Sequence, residues 1–99
     1  MNKNDIEVVP VIFRVWTDEK IGALFPTISA GVNPLYCAAY YAGRHSSANY
    51  LHCIRQTRSA TEAEYADLYR EIAKPGYHMR VVQRASCAMH IKRLRETEQ

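Results

Sequence analysis

The apolar positions of this chain repeat first every second residue and later every third or fourth, and the change of period lays out its elements. Val8-Val9-Pro10-Val11-Ile12-Phe13-Arg14-Val15-Trp16 is β-branched and aromatic, the composition of a strand. Pro10 cannot donate to a ladder, so the regular strand is expected from Val11, or on an edge there. Val11, Phe13 and Val15 share one face. Ile12, Arg14 and Trp16 share the other, which Arg14 marks as partly wet. Thr17 to Lys20 is a polar turn, and Ile21-Gly22-Ala23-Leu24-Phe25 is the return strand, closed by Pro26. After a connector over 27–34 marked by Gly31 and Asn33-Pro34, the stretch from Leu35 to Ala42 reads as a third strand.

The stretch from Gly43 to Arg58 supports two readings. Ser47 or Asn49 can cap a short helix through Tyr50, Leu51 and Ile54, or Tyr50 to Ile54 can run back along the third strand as a hairpin arm. The three-residue spacing of Leu51 and Ile54 favours the helix. Beyond it the period is plain. Thr61-Glu62-Ala63-Glu64 is a capping box, and Tyr65, Leu68, Tyr69 and Ile72 form one stripe of a helix over 61–74, stopped by Pro75-Gly76. Tyr77 to Arg84 alternates as a fourth strand. Ser86 can cap a last helix to about Glu96, with Ala88, Ile91 and Leu94 three apart.

These elements predict an α+β domain: a small antiparallel sheet of three to four strands, the 61–74 helix packed on a face, and a C-terminal helix. Residues 1–7 are expected to be a disordered tail and residues 8–96 a single domain. The expected core is Phe13, Leu24, Phe25, Tyr65, Leu68, Tyr69, Ile72 and Val81.

Composition adds a charge gradient. The net charge of +3 divides unevenly: residues 1–43 carry Lys3, Arg14 and Lys20 against Asp5, Glu7, Asp18 and Glu19, whereas 44–95 carry ten Lys or Arg against four Asp or Glu. A basic C-terminal half permits contact with nucleic acid or another polyanion, and is equally compatible with a solvated surface. Cys37, Cys53 and Cys87 are odd in number and widely spaced, unlike a disulfide framework. No signal-peptide pattern opens the chain and no apolar run approaches the ~20 residues of a spanning helix. A cytoplasmic protein with reduced thiols and no membrane contact is expected. A homo-oligomer is compatible with the pattern.

Candidate chemistry is sparse. His45, His52, His78, His90 and the cysteines show no zinc-site spacing, and no nucleophile elbow, P-loop or dinucleotide fingerprint is present, so no catalytic residue, metal or cofactor is expected. The segment from Tyr40 to Tyr50, continued to Arg58, mixes aromatic rings, guanidinium groups, hydroxyls and amides around Gly43. Tyr40, Tyr41, Arg44, His45, Asn49, Arg55 and Arg58 are therefore the candidate ligand-binding set, suited to phosphate, a single-stranded base or a peptide. The plainer reading is a loop whose polar side chains cap a helix. A non-catalytic binding or accessory module contacting nucleic acid or an acidic protein is the expected function, with a small enzyme using a Cys or His of 43–58 as the alternative.

Val11-Ile12-Phe13-Arg14-Val15-Trp16, Ala23-Leu24-Phe25-Pro26, Gly43-Arg44-His45, the run from Ile54 to Ala66, and Gly76-Tyr77 together resemble a group of short uncharacterised proteins from bacterial genomes and mobile elements. The resemblance spans about residues 11 to 82. It implies a phage, plasmid or conjugative-element accessory protein, and carries no known activity.

Overall fold

The computed structural model describes residues 8–97, so the expected tail at 1–7 lies outside the described residues. Six strands form one sheet: β1 (Val8–Val15), β2 (Ile21–Ser29), β3 (Tyr36–Tyr41), β4 (Arg44–Asn49), β5 (Arg58–Ser59) and β6 (His78–Val81). The helices are α1 (Tyr50–Gln56), α2 (Glu62–Ala73) and α3 (Cys87–Thr97). The α+β class agrees with expectation, while the strand number exceeds the expected three to four. The order is β4-β3-β2-β1-β5, and β6 also pairs with β1.

The extra strands come from segments too polar or too short to show an apolar period. β4 is Arg-His-Ser-Ser-Ala-Asn, paired with β3 in full register from Tyr36↔Asn49 to Tyr41↔Arg44. Its turn is two residues, Ala42 and Gly43, both at positive φ, as the tightest hairpin loops require. The helix reading holds, with Asn49 capping α1 by accepting from the His52 amide. Tyr50 to Ile54 do not run back along β3, and the hairpin arm is formed instead by the preceding Arg44–Asn49. β5 is only two residues, paired to Arg14 and Val15.

Pro10 and Pro26 sit inside strands, where the ladder has room for them. Val8 to Val11 pairs with β6, in parallel, whereas the pairing with β2 begins at Ile12; Pro10 thus lacks a β2 partner that would need its amide. Pro26 does not close β2. The register with β3 breaks between Phe25 and Ser29, and the strand runs through the irregularity.

Helices cover both faces of the sheet, not one. On the first face α2 lies over Val11, Phe13, Val15, Ala23, Phe25 and Met79, with Ile72 buried and Tyr65, Leu68, Tyr69 and Val81 half-buried against them. The Phe13 and Tyr65 rings stack at 4.5 Å. The expected capping box is present, Thr61 Oγ1 accepting from the Glu64 amide and Glu64 Oε1 from the Thr61 amide. On the second face Ile12, Leu24, Cys37, Ala39 and Tyr50 form another cluster under α1 and the segment leading to α3. Leu24 therefore belongs to the opposite core from the other expected members. Arg14, expected on a partly wet face, is buried by α1: its guanidinium donates to Thr57 Oγ1 at 2.8 Å, Ser59 Oγ at 3.0 Å, and the Thr57 and Ile54 carbonyls.

α3 is inserted the other way round from its apolar spacing. Ala88, Ile91 and Leu94 are exposed, and the buried residue is Arg93. Arg93 Nη1 donates at 2.6 Å to the Pro26 carbonyl, which the register break leaves without a β3 partner. Ser86 Oγ accepts from the Met89 amide at the start of the helix, as its spacing predicts. Among the described residues no helix is long and apolar enough to cross a membrane.

Candidate functional site

The pleat of the β3–β4 hairpin divides the candidate residues. Opposed residues share a face, so Tyr41 and Arg44 point to the α1 side and Tyr40 and His45 to the α2 side. On the α2 side Tyr40 donates its hydroxyl to Glu71 at 2.5 Å, and that acceptor holds its pKa above the ordinary tyrosine value; His45 meets the Tyr40 ring edge-on. Asn49 is engaged as the α1 cap. Arg58 is clamped by Glu64 through two hydrogen bonds, at 2.9 and 2.7 Å, and the same guanidinium holds the Glu64 carboxyl down at about 2. The structure therefore does not bring the seven residues together. Tyr41, Arg44 and Arg55 remain on one side and Tyr40 and His45 lie on the other, while Asn49 and Arg58 border the hollows beside Trp16 but are held there as the α1 cap and by Glu64.

What Tyr41 meets is Trp16, from the end of β1. Their centroids are 5.0 Å apart at an interplanar angle of 49°. Trp16 lies over Gly22, the residue paired with both Arg14 and Tyr41: a Cβ there would fall 2.7 Å from the indole and 3.1 Å from the Tyr41 ring. Glycine is required here by close approach. The Tyr41 hydroxyl donates to Asp18 in the β1–β2 turn at 2.9 Å, which raises the phenol, while the Lys20 amide, first, and that phenol lower the carboxyl.

Beside this ring pair runs an open groove of about 290 Å³ between the β3–β4 surface and α1. Trp16, Tyr41 and Tyr36 give it aromatic walls, Ser46, Ser47 and Asn49 a polar side, and His52 and Cys53 close it from α1. On the other flank of Trp16 a second hollow reaches Arg55 and Gln56, with Glu19 at its edge. Arg44 stands at the hairpin end, opposite Tyr41. The site residues missed by sequence reasoning are thus Trp16, Gly22 and Tyr36, while His52 falls within the 43–58 segment of the enzyme alternative. A juxtaposition of residues 16, 22 and 41 depends on three strands, and only the Trp16–Gly22 proximity across one hairpin was open to inference.

Cys53, the thiol that lines this groove, is held toward its protonated form: burial pushes it up from its ordinary value, against the opposing pull of Arg14, and burial lifts Cys37, beneath the sheet, to about 11. Among the described residues no three His, Cys, Asp or Glu side chains are grouped so as to hold a metal ion. No family model matches the chain, and no curated protein and no solved structure matches it either.

Proposed function

We propose that this protein is a non-catalytic binding module that takes a single-stranded nucleic acid across the α1 side of its β3–β4 hairpin. The observation that carries the reading is the Trp16–Tyr41 pair, set on Gly22 beside an open groove, with Arg44 and Arg55 on its two flanks. Aromatic rings accept bases by stacking without regard to sequence, and flanking guanidinium groups follow the phosphates. Asp18 and Glu19 sit at the turn end, so the nucleic-acid strand would run away from them, past the Ser46 hydroxyl toward Asn49. An accessory role in a bacterial mobile element is the setting that the resemblance suggests. The enzyme alternative draws no support from the groove, whose cysteine is driven toward the thiol.

Titration of fluorescent single-stranded oligonucleotides at several salt concentrations tests the proposal. Saturable binding is expected, and Arg44→Glu with Arg55→Glu should flatten the logarithmic salt dependence by about 0.7 for each phosphate no longer neutralised. Trp16→Ala should cost ~1–3 kcal/mol of binding, the worth of one stacked base. Gly22→Ala should weaken binding in the same direction by displacing the indole. An absence of saturable binding at low salt would end the nucleic-acid reading.

A further inference from the structure

One edge of the sheet is bare along its whole length. β4 pairs with β3 on one side and, among the described residues, with no strand on the other. Helix α1 leaves it at Asn49 and crosses to β1, where the Ile54 and Thr57 carbonyls hold Arg14, while α2 packs over β1 and β2. Arg44 to Ser47 are accordingly exposed. Sheet edges that meet only water are ordinarily very short, or guarded by lysine, proline or a bulge. β4 is six residues in unbroken register, Arg-His-Ser-Ser-Ala-Asn, with none of these. Its arginine stands at the hairpin end.

The hairpin fixes which backbone groups are free. A two-residue loop closes on a hydrogen-bonded pair, here Tyr41 and Arg44, and such pairs then alternate along the ladder. Arg44, Ser46 and Ala48 thus turn their amides and carbonyls to β3, and the Tyr50 amide continues the series by donating to the Leu35 carbonyl. His45 and Ser47 turn theirs outward, two amides and two carbonyls with no partner among the described residues. Side chains alternate in the other direction, Arg44, Ser46 and Ala48 on the α1 face and His45 and Ser47 on the α2 face.

The strand that matches this edge is a second β4. In antiparallel pairing about a two-fold axis, opposed residues share a face, so the register must centre on one residue. Centred on Ser46, His45 faces Ser47 of the second copy and each donates its amide to the other's carbonyl. The symmetric pair does the same, and all the outward groups are satisfied. Arg44 falls opposite Ala48, and the two Ser46 side chains meet on the axis. The two Arg44 groups stand four residues apart along the strands, roughly 13 Å, beyond the ~8 Å over which salt screens them. A centre at Ser47 would set Arg44 against Tyr50, where α1 has begun, and a centre at His45 would set Ser47 against Gly43 in the turn. We propose that this protein self-associates through β4, antiparallel and centred on Ser46, so that two sheets become one. Four hydrogen bonds without an apolar core make a weak, concentration-dependent dimer. The pairing uses neither Trp16 nor Tyr41, so it stands or falls separately from the nucleic-acid site.

Sedimentation equilibrium of the full chain over a concentration series reads the association, and cysteine cross-linking in a Cys87→Ser background reads the register. On the axis a non-hydrogen-bonded pair brings Cα atoms to about 4.5 Å, within disulfide reach. Mild oxidation should therefore link Ser46→Cys chains into covalent dimers, and Ser47→Cys chains, diagonal at about 7–8 Å, much less. Ser47→Pro removes an outward amide that β3 does not use, and should weaken association at least about tenfold with the fold kept by circular dichroism. Ser46→Lys opposes like charges on the axis and should weaken it as well; it carries the same test if the proline variant does not fold. Trp16→Ala, which weakens oligonucleotide binding, should leave self-association unchanged. The proposal is overturned by a chain that stays monomeric at every concentration, by linking that favours Ser47→Cys, or by association indifferent to Ser46→Lys. A dimer dissolved instead by Leu51→Ser with Leu94→Ser would also overturn it, because the interface would then be the apolar side of α3.

Discussion

The two faces of the sheet are covered by helices that follow opposite rules. α2 gives Tyr65, Leu68, Tyr69 and Ile72 to the strands and keeps Glu62, Asp67, Arg70 and Glu71 in water. α3 gives Arg93 to the strands and keeps Ile91 and Leu94 in water. The strands explain the contrast. Under α2 the sheet offers apolar side chains in a regular ladder, so burial of apolar area decides. Beneath α3 the strand register breaks after Phe25 and leaves a carbonyl at Pro26, so a donor decides. An amphipathic pattern therefore identifies a helix more surely than it identifies the inward side.

Core deletion on the α2 side is the most severe challenge to this contrast. Phe13→Ala removes the ring stacked on Tyr65 and should destabilise by ~3–5 kcal/mol in urea unfolding. A loss below about 0.5 kcal/mol, the scale of a neutral surface change, would mean that α2 does not cover this face. Next in size is the inversion on the other side. Arg93→Ala should cost ~1–3 kcal/mol by leaving buried carbonyls without a donor, whereas Ile91→Ala should stay within about 0.5 kcal/mol. The reverse ranking would place the apolar side of α3 against the sheet. The α2 cap follows, Thr61→Ala costing ~1 kcal/mol because the Glu64 amide loses its acceptor.

The smallest effect separates the faces by pH. His90 in the folded protein titrates below its ordinary 6.5, so the native state binds fewer protons than the unfolded chain as pH falls beneath that value. Its contribution is full above pH 6.5 and is lost as pH falls through the folded pKa. Glu64, held at about 2, keeps its contribution above 4.5 and loses it only between 4.5 and 2. The α3 side should thus weaken first on acidification. Urea midpoints of the wild type and His90→Gln, measured from pH 7.5 to 5, should converge toward acid, and parallel curves would show that His90 contributes nothing to the pH dependence.

Local chemistry is enough for the elements whose signals are short in range. Thr61 and Glu64 specify a helix start within four residues, Asn49 and Ser86 act as caps at the positions their side chains suggest, and the Tyr65-to-Ile72 stripe meets the sheet. β4 is not legible as a strand because its exposed edge position imposes no apolar alternation on Arg44 to Asn49. The candidate site is divided for a related reason: Tyr40, Tyr41, Arg44 and His45 are neighbours in sequence, but a strand sends neighbours to opposite faces. Sequence alone determined the α+β class, the main helix and its caps, and the basic excess of the C-terminal half, since these depend on residues near one another or on composition. Tertiary structure decided which side of the sheet each arginine serves, why Gly22 must be glycine under Trp16, and which side of α3 looks inward. Each of those depends on a carbonyl, ring or strand brought close from elsewhere in the chain, and no local period records it.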